Sequence, residues 1–224
     1  MNYAEFMASL TRGEPPHVFL LAGEESYYIR RAEEAILRRL LPVAEERAYA
    51  LIRCEEMPSV DVLIETLETV PIFTEKTVVL VRDATIFRAT KKKEQDADAP
   101  APKDTGAERL IALLADLPPT TYVIFTLAAK PDKRKKLFRT VETYGRVLES
   151  EPLRPWNVEN WLNERLREMG RSMHRDARTF FLHIVGIMPT ISLSFLDQQL
   201  EKLTLYTDNA QFTEADLRAA FSAM

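Results

Sequence analysis

Glycine is scarce in this chain, which has only six glycines among its 224 residues. No two of them have the G-x-x-x-x-G-K or G-x-G-x-x-G spacing whose backbone N–H groups wrap the phosphates of a nucleotide. The chain also has one cysteine, Cys54, and three histidines. An intrachain disulfide is therefore excluded, and a metal site built from spaced cysteine and histidine ligands is not expected. We predict a protein without nucleotide, metal or other cofactor.

Long hydrophobic runs and an excess of positive charge are missing too. No uninterrupted apolar stretch approaches the ~20 residues that a membrane span requires. The N-terminal residues lack the charged and apolar regions of a secretory signal. The net charge is −4, and neither half of the chain carries a polybasic arm of the kind that grips nucleic acid. These features predict a soluble, cytoplasmic protein and disfavour a stand-alone DNA-binding protein.

Apolar segments alternate with helical patterns over the first 150 residues. Short β-rich runs predict strands at His17–Leu21, Ala48–Arg53, Thr77–Val81 and Thr121–Leu127. Apolar side chains recurring on one face predict helices at Tyr28–Leu41 and Val60–Val70. Alternation of this kind indicates an α/β domain at residues 1–150, with a parallel sheet flanked by helices.

The remainder of the chain predicts helices only. Pro152 and Pro155 mark a boundary, after which helices are predicted at Asn157–Met169, Asp176–Val185, Ser192–Tyr206 and Thr213–Ser222. We therefore expect residues 151–224 to form a small all-α domain.

The segment between the strands predicted at Thr77–Val81 and Thr121–Leu127 has a different composition. From Lys91 to Asp104 it contains no aliphatic residue larger than alanine, so it cannot bury enough surface to offset its ordering entropy. We expect a mobile loop in the 90–107 region. The alternative, that Lys91–Lys93 grip phosphate, is weakened by the acids that follow at once.

The turn after the first predicted strand holds Gly23, Glu24 and Glu25 and leads into a helix. A working phosphate loop carries a lysine here to neutralise the phosphates, then a serine or threonine for Mg²⁺. Because this turn has two acids and no lysine, we expect a disabled phosphate loop.

Several short motifs, in this order, make a family resemblance specific. They are Tyr3-x-x-Phe6, Val18-Phe19-Leu20-Leu21-x-Gly23-Glu24-Glu25, Lys130-x-Asp132-Lys133-Arg134-x-Lys136-Leu137, Trp161-Leu162 with Gly170, and Leu200-Glu201-Lys202-Leu203-x-Leu205-Tyr206. With them the chain resembles the delta subunit of the bacterial DNA polymerase III clamp loader. The resemblance implies an AAA+-like α/β domain without a functional phosphate loop, followed by a helical lid domain.

The resemblance also implies a role in DNA replication. A delta subunit binds and opens the sliding clamp (beta) for loading onto primed DNA, as a non-catalytic accessory subunit of the DNA-directed DNA polymerase III holoenzyme. The implied partners are the clamp, the ATPase and delta-prime subunits of the loader, and primed DNA in the assembled complex. Because chains of this family continue into a helical collar domain, we expect this sequence, which ends at Met224, to be a shortened form.

The resemblance places a clamp-binding element at Val70, Ile72 and Phe73, between the Val60–Val70 helix and the next strand. A residue that precedes proline is disfavoured in helical conformation, so the helix should end before Pro71 and leave Ile72 and Phe73 directed outward. The family usually has leucine before the phenylalanine and methionine upstream, so Ile72 and Val70 differ in shape but not in polarity. The alternative is that Phe73 covers the edge of the sheet.

A basic run follows the strand predicted at Thr121–Leu127 and includes Lys130, Lys133, Arg134 and Lys136. It is a candidate contact to DNA phosphates or to a neighbouring subunit, because lysine and arginine attract phosphate without regard to sequence. The alternative is a solvated helix face.

Two rival identities stay open at this point. Another non-motor subunit of the clamp loader would be expected to carry zinc-ligand cysteines, and this chain has one cysteine. An ATP-binding AAA+ protein would need the phosphate loop that is absent. Asp83 stands where such an ATPase carries its Mg²⁺-binding acid, and we interpret it as a relic or a cap.

Overall fold

The computed structural model describes residues 1–71, 73–89 and 105–221 of the chain. The coordinates divide into two compact units, Met1–Glu151 and Pro152–Met224. Ile72 and the loop expected from Lys91 to Asp104 lie outside the described residues.

The first unit is built on a parallel sheet. Its strands are β1 (Val18–Gly23), β2 (Leu51–Cys54), β3 (Thr77–Val81), β4 (Thr121–Leu127) and β5 (Arg146–Ser150). Within the described residues they form one five-stranded sheet in the order β2-β3-β4-β1-β5. Every neighbouring pair runs parallel, as in the register Val18↔Val123 between β1 and β4.

Helices cover both faces of this sheet. They are α1 (Tyr3–Leu10), α2 (Ser26–Leu40), α3 (Arg47–Ala50), α4 (Val60–Glu68), α5 (Thr105–Ala115) and α6 (Lys136–Tyr144). One core cluster joins Leu20 and Val79 to side chains of α4, α5 and α6, and the other joins Phe19 and Leu80 to side chains of α1 and α2. Successive strand residues point to opposite faces. Burial on both faces therefore explains why β1, β3 and β4 are continuous apolar runs, and the predicted parallel sheet is confirmed.

Several features of this unit differ from the prediction. Ala48–Ala50 belongs to α3, so β2 begins only at Leu51. The helix predicted to Val70 ends at Glu68. The fifth strand, β5, was not predicted, because Arg146 and Glu149 interrupt its apolar character; both side chains are half-buried in this edge strand.

The second unit is mainly helical. It contains α7 (Val158–Glu168), α8 (Arg175–Ile187), α9 (Leu193–Tyr206) and α10 (Glu214–Phe221). The prediction of helices alone was wrong in one detail, because two short strands, β6 (Ser172–Met173) and β7 (Gln211–Phe212), pair in parallel. Each contributes one buried apolar side chain, from Met173 and Phe212. In neither unit does a described helix have the length and apolar character needed to cross a membrane.

Candidate functional site

The proposed partner-binding element begins at the end of α4. This helix is capped by Ser59, whose side chain accepts a hydrogen bond from the backbone N–H of Val62 at 3.4 Å. Leu63 and Leu67 anchor it in the core. After Glu68 the chain becomes extended, with φ −68° and ψ 121° at Thr69. The helix thus ends two residues before Val70, the last position that Pro71 would allow it to reach.

The two described residues of the element are directed into solvent. Val70 is 68% exposed and Phe73 is 87% exposed. A phenylalanine that covered the sheet edge would have most of its ring buried, whereas the Phe73 ring is mostly exposed. The turn that follows is held by a hydrogen bond from Thr74 Oγ1 to the carbonyl of Lys76 at 2.9 Å, and β3 behind it is buried along its length. Exposed apolar side chains therefore stand beside the start of a buried strand.

The turn expected to be a disabled phosphate loop is tied closely to the end of β5. Gly23 has φ +143°, and a Cβ added there would lie 1.9 Å from the carbonyl oxygen of Ser150. That carbonyl accepts a hydrogen bond from Glu24 N–H at 2.9 Å. The Ser150 hydroxyl in turn donates to the carbonyl of Glu25 at 2.7 Å. Gly23 is therefore needed for close approach of two backbone segments.

The carboxylate of Glu25 fills the position at the start of α2 where a nucleotide-binding protein holds phosphate. Glu25 is 8% exposed, and its Oε1 accepts a hydrogen bond from the backbone N–H of Tyr27 at 3.0 Å. Burial raises the pKa of this carboxyl above its ordinary value, against the opposing effects of the Tyr27 N–H and the positive charge of Arg30. The positive end of a helix attracts anions, and here the chain supplies the anion itself.

From the sequence, we expected Glu25 to repel phosphate and did not predict that it caps α2. The residues preferred at an N-cap are serine, threonine, aspartate and asparagine, so a glutamate gives little signal of such a role. The prediction began this helix at Tyr28, whereas α2 begins at Ser26 with Glu25 as its cap.

The basic run is paired with nearby acids. Lys130 Nζ lies 3.5 Å from Glu24 Oε2, and Lys133 Nζ lies 2.5 Å from Glu149 Oε2. These contacts bring both lysines to the edge of the sheet where β1 and β5 end. Exposed pairs of this kind contribute about 0–1 kcal/mol, so their lysines are available to exchange partners.

The other two basic candidates lie at the start of α6. Arg134 donates through Nε and Nη2 to both carboxylate oxygens of Asp132 at 2.9 Å. These hydrogen bonds lower the pKa of Asp132 to about 2. Lys136 is exposed at the first position of α6, without a recorded ion pair to the described part of the chain.

Asp83 adopts a left-handed backbone conformation, with φ +46°. Its carboxylate oxygen Oδ1 accepts a hydrogen bond from Arg88 Nη2 at 2.7 Å. The acid at the Mg²⁺-binding position of an ATPase is thus in an ion pair with a neighbouring arginine. Within ranges 1–71, 73–89 and 105–221, no cluster of three or more His, Cys, Asp or Glu side chains is placed to hold a metal ion.

The structure and sequence are similar to those of clamp-loader delta proteins. The DNA polymerase III subunit delta of Bacillus subtilis (strain 168) is 25% identical over 218 residues, which are 94% of this chain and 58% of that protein. The solved structure of the Bacillus subtilis DNA clamp loader delta protein superposes with a TM-score of 0.71 at 22% identity, over 97% of this chain and 61% of that one. This superposition shows a shared fold.

A more distant similarity is to a DNA polymerase III gamma subunit-related protein from Thermotoga maritima, with a TM-score of 0.43 and 12% identity over 75% of this chain and 50% of that one. The chain spans about 60% of the length of the two delta proteins. The family model described as DNA polymerase III, delta subunit, matches residues 19–151, which is more than half of the 224 residues. The chain therefore belongs to the DNA polymerase III delta subunit family.

Proposed function

We propose that this chain binds the sliding clamp through Val70, Ile72 and Phe73 and opens it for loading onto primed DNA during replication. The observation that carries the proposal is the exposed Phe73 ring beside the end of α4 in a member of the delta family. Ile72 enters on the family resemblance. The α/β unit (1–150) would carry this element, and the helical unit (151–224) would serve as the lid.

The energetics favour an anchoring role for Phe73. Burying a phenylalanine or isoleucine side chain releases roughly 1.5–3 kcal/mol. Pro71 has its φ fixed by its ring, and the Thr74 hydroxyl holds the following turn. These local restraints reduce the conformational entropy that Phe73 loses on binding, so more of the burial energy appears as affinity.

The phosphate-loop position supports a subunit without ATPase activity. The Glu25 side chain caps the start of α2. The turn also lacks the lysine that neutralises phosphates in a working phosphate loop. In this proposal, the ATPase subunits of the loader supply the hydrolysis, and this chain and delta-prime are their non-motor partners in the cytoplasm.

The basic side chains Lys130, Lys133, Arg134 and Lys136 are proposed contacts to DNA phosphates or to a neighbouring loader subunit. All four are exposed. Three of them have an acidic partner that a phosphate could replace, and Lys136 adds its charge to the positive end of α6.

Binding to the immobilised cognate sliding clamp tests the proposal. Phe73→Ala should weaken binding about thirtyfold or more, because loss of a central aromatic anchor commonly costs about 2 kcal/mol or more. The double substitution with Ile72→Ala should abolish detectable binding. The melting temperature should change little, since the ring is outside the core.

Tyr49→Ala is the matched control, because Tyr49 is an aromatic residue that is 77% exposed at a different place, in α3. Its clamp affinity should equal that of the unaltered chain. Undiminished binding by folded Phe73→Ala would refute the residue assignment. Unfolding by the same substitution would show that Phe73 is a core residue.

A further inference from the structure

We propose that the outer edge of β2 is a docking site for an extended segment of a partner protein, with an apolar middle and a basic residue near each end. The segment adds a strand to the five-stranded sheet beside β2. This site shares no residue with the clamp-binding element of Val70, Ile72 and Phe73, and its test does not use the clamp.

The two edges of the sheet differ in how their backbone groups are satisfied. On β5, the amino group of Met1 donates to the carbonyl of Val147 at 3.1 Å, and the N–H of Glu149 donates to the carbonyl of Met1 at 3.0 Å. Met1 therefore pairs with the outer edge of β5 as a residue of a further strand does. An edge without such cover can pair with another chain.

The outward groups of β2 belong to Leu51 and Arg53. The carbonyl of Cys54 accepts a hydrogen bond at 2.8 Å from the N–H of Arg82, the residue that follows β3. In a parallel pair each residue directs its N–H and C=O to the same side, and the side alternates along the strand. Ile52 and Cys54 therefore bond toward β3, whereas Leu51 and Arg53 face outward.

Three of these outward groups have no partner within the described residues: the carbonyl of Leu51 and the N–H and carbonyl of Arg53. The N–H of Leu51 is used, because it donates to the carbonyl of Arg47. The Leu51 carbonyl and the Arg53 N–H are the counterparts of the two β5 groups that Met1 engages. A docked strand can therefore make the same pair of hydrogen bonds with β2.

Two apolar side chains near this edge favour an apolar middle in the docked segment. Ile52 is 37% exposed although it lies in the sheet, and Tyr49, in α3 directly before the strand, is 77% exposed. Cross-strand contacts between side chains stabilise a strand pair. Valine and threonine side chains supply such contacts and favour extended structure.

Acidic side chains at both ends of β2 favour basic residues in the segment. Between residues 42 and 57 the chain has four glutamates, two arginines and no lysine. The glutamates are all exposed and lie before and after the strand, at Glu45, Glu46, Glu55 and Glu56. A second copy of this chain would bring its own glutamates to the same edge, and like charges that face each other are destabilising. A segment with a lysine near each end is therefore the better occupant.

A capped synthetic peptide, with lysine at both ends and alternating valine and threonine between them, tests the proposal. In an NMR titration of the isotope-labelled chain, this peptide should cause saturable shifts of the Arg53 and Glu55 backbone amide signals. The same peptide with methylated backbone nitrogens cannot donate hydrogen bonds and should not bind. The peptide with glutamate at both ends should bind about tenfold more weakly.

Two substitutions at Arg53 separate its backbone N–H from its side chain. Arg53→Pro removes the outward N–H, and proline is tolerated on an edge strand where the N–H faces solvent. This variant should fold, as thermal melting will show, and should bind the peptide about fivefold more weakly or worse, as for the loss of one hydrogen bond. Arg53→Thr is the matched control, because it keeps the N–H and removes a positive charge. Its affinity should equal or exceed that of the unaltered chain.

The absence of saturable shifts, equal affinity of folded Arg53→Pro and Arg53→Thr, or undiminished binding of the methylated peptide would overturn strand addition at β2. If Arg53→Pro does not fold, the methylated peptide decides. Equal binding of the lysine and glutamate peptides would overturn the chemistry assigned to the partner. A dimer in sedimentation velocity that is lost in Arg53→Pro would make a second copy the occupant and would also overturn the proposal.

Discussion

The carboxylate of Glu25 accepts a hydrogen bond from the backbone N–H of Tyr27, two residues further along the chain. The first N–H groups of a helix have no partner within the helix, and together they create a site for an anion. In this chain that site is occupied by the Glu25 side chain, and the Ser150 hydroxyl donates to the backbone carbonyl of the same residue. The phosphate-loop position is therefore both short of phosphate-binding groups and already filled.

Removal of this carboxylate should destabilise the first unit. Glu25→Ala leaves the Tyr27 N–H without its acceptor, and loss of an N-cap costs about 0.5–2 kcal/mol. Added formate should restore part of the lost melting temperature by supplying a carboxylate, whereas chloride at equal ionic strength should not. Glu24→Ala is the control, because Glu24 is exposed and makes one long ion pair with Lys130. An unchanged melting temperature for Glu25→Ala would show that the carboxylate does not act as a cap.

The raised pKa of Glu25 predicts a pH dependence of known sign. A carboxyl whose pKa in the folded state lies above its ordinary value of 4.5 is protonated more fully in the folded than in the unfolded chain over the interval between the two values. The free energy of unfolding that it contributes is therefore present below pH 4.5 and is lost as the pH rises through the folded-state pKa. Glu25→Gln keeps an oxygen acceptor and cannot titrate.

Urea unfolding of the original and Glu25→Gln chains across pH 4–7 measures this effect, since the difference between them cancels the other carboxylates. The stability of the original chain relative to Glu25→Gln should fall as the pH rises. A relative stability that increased with pH would mean that the cap hydrogen bond, and not burial, dominates the pKa.

The disabled turn predicts that the chain binds no ATP with useful affinity. Glu24 and Glu25 carry negative charge beside the position of the phosphates, and the turn itself contains no lysine. Isothermal titration with Mg-ATP should give no saturable heat. Binding near the micromolar range, about −8 kcal/mol, would contradict the disabled-loop interpretation and revive an ATP-binding AAA+ protein as the alternative.

Gly23 should tolerate no side chain. Its φ of +143° disfavours other residues, and a Cβ would meet the Ser150 carbonyl. Gly23→Ala should therefore lower the free energy of unfolding by about 2 kcal/mol or more. Gly186→Ala is the opposite case, because Gly186 lies within α8 with nothing within 4 Å of an added Cβ. That substitution should stabilise the chain by about 0.5–1 kcal/mol, and chemical denaturation measures both.

Sequence reasoning located β1, β3 and β4 from their apolar runs, and it located the edge strand β2 with too early a start. In β1, β3 and β4 every residue is buried, so an apolar run alone identifies them. The edge strand β5 instead satisfies polar residues through long-range contacts, as when Arg146 Nη1 donates to the carbonyl of Ser9. Such contacts join residues far apart in sequence and leave no local pattern.

The same distinction applies to the candidate site. The family resemblance indicated Phe73, and Pro71 signals locally only that a helix ends nearby. The placement of Glu25 depends on Ser150, which is remote in sequence. This dependence is not visible in the order of the residues.

The position of β1 inside the sheet has a consequence during protein synthesis. Val18 pairs with Val123, and Phe19 pairs with Arg146, so neither neighbour of β1 exists when the strand leaves the ribosome. At roughly 5–20 residues per second, about 5–20 s pass before the chain has grown from Val18 to Val123. For that interval the five apolar residues Val18–Ala22 have no sheet to enter, and this strand stays open to aggregation until β4 has been made.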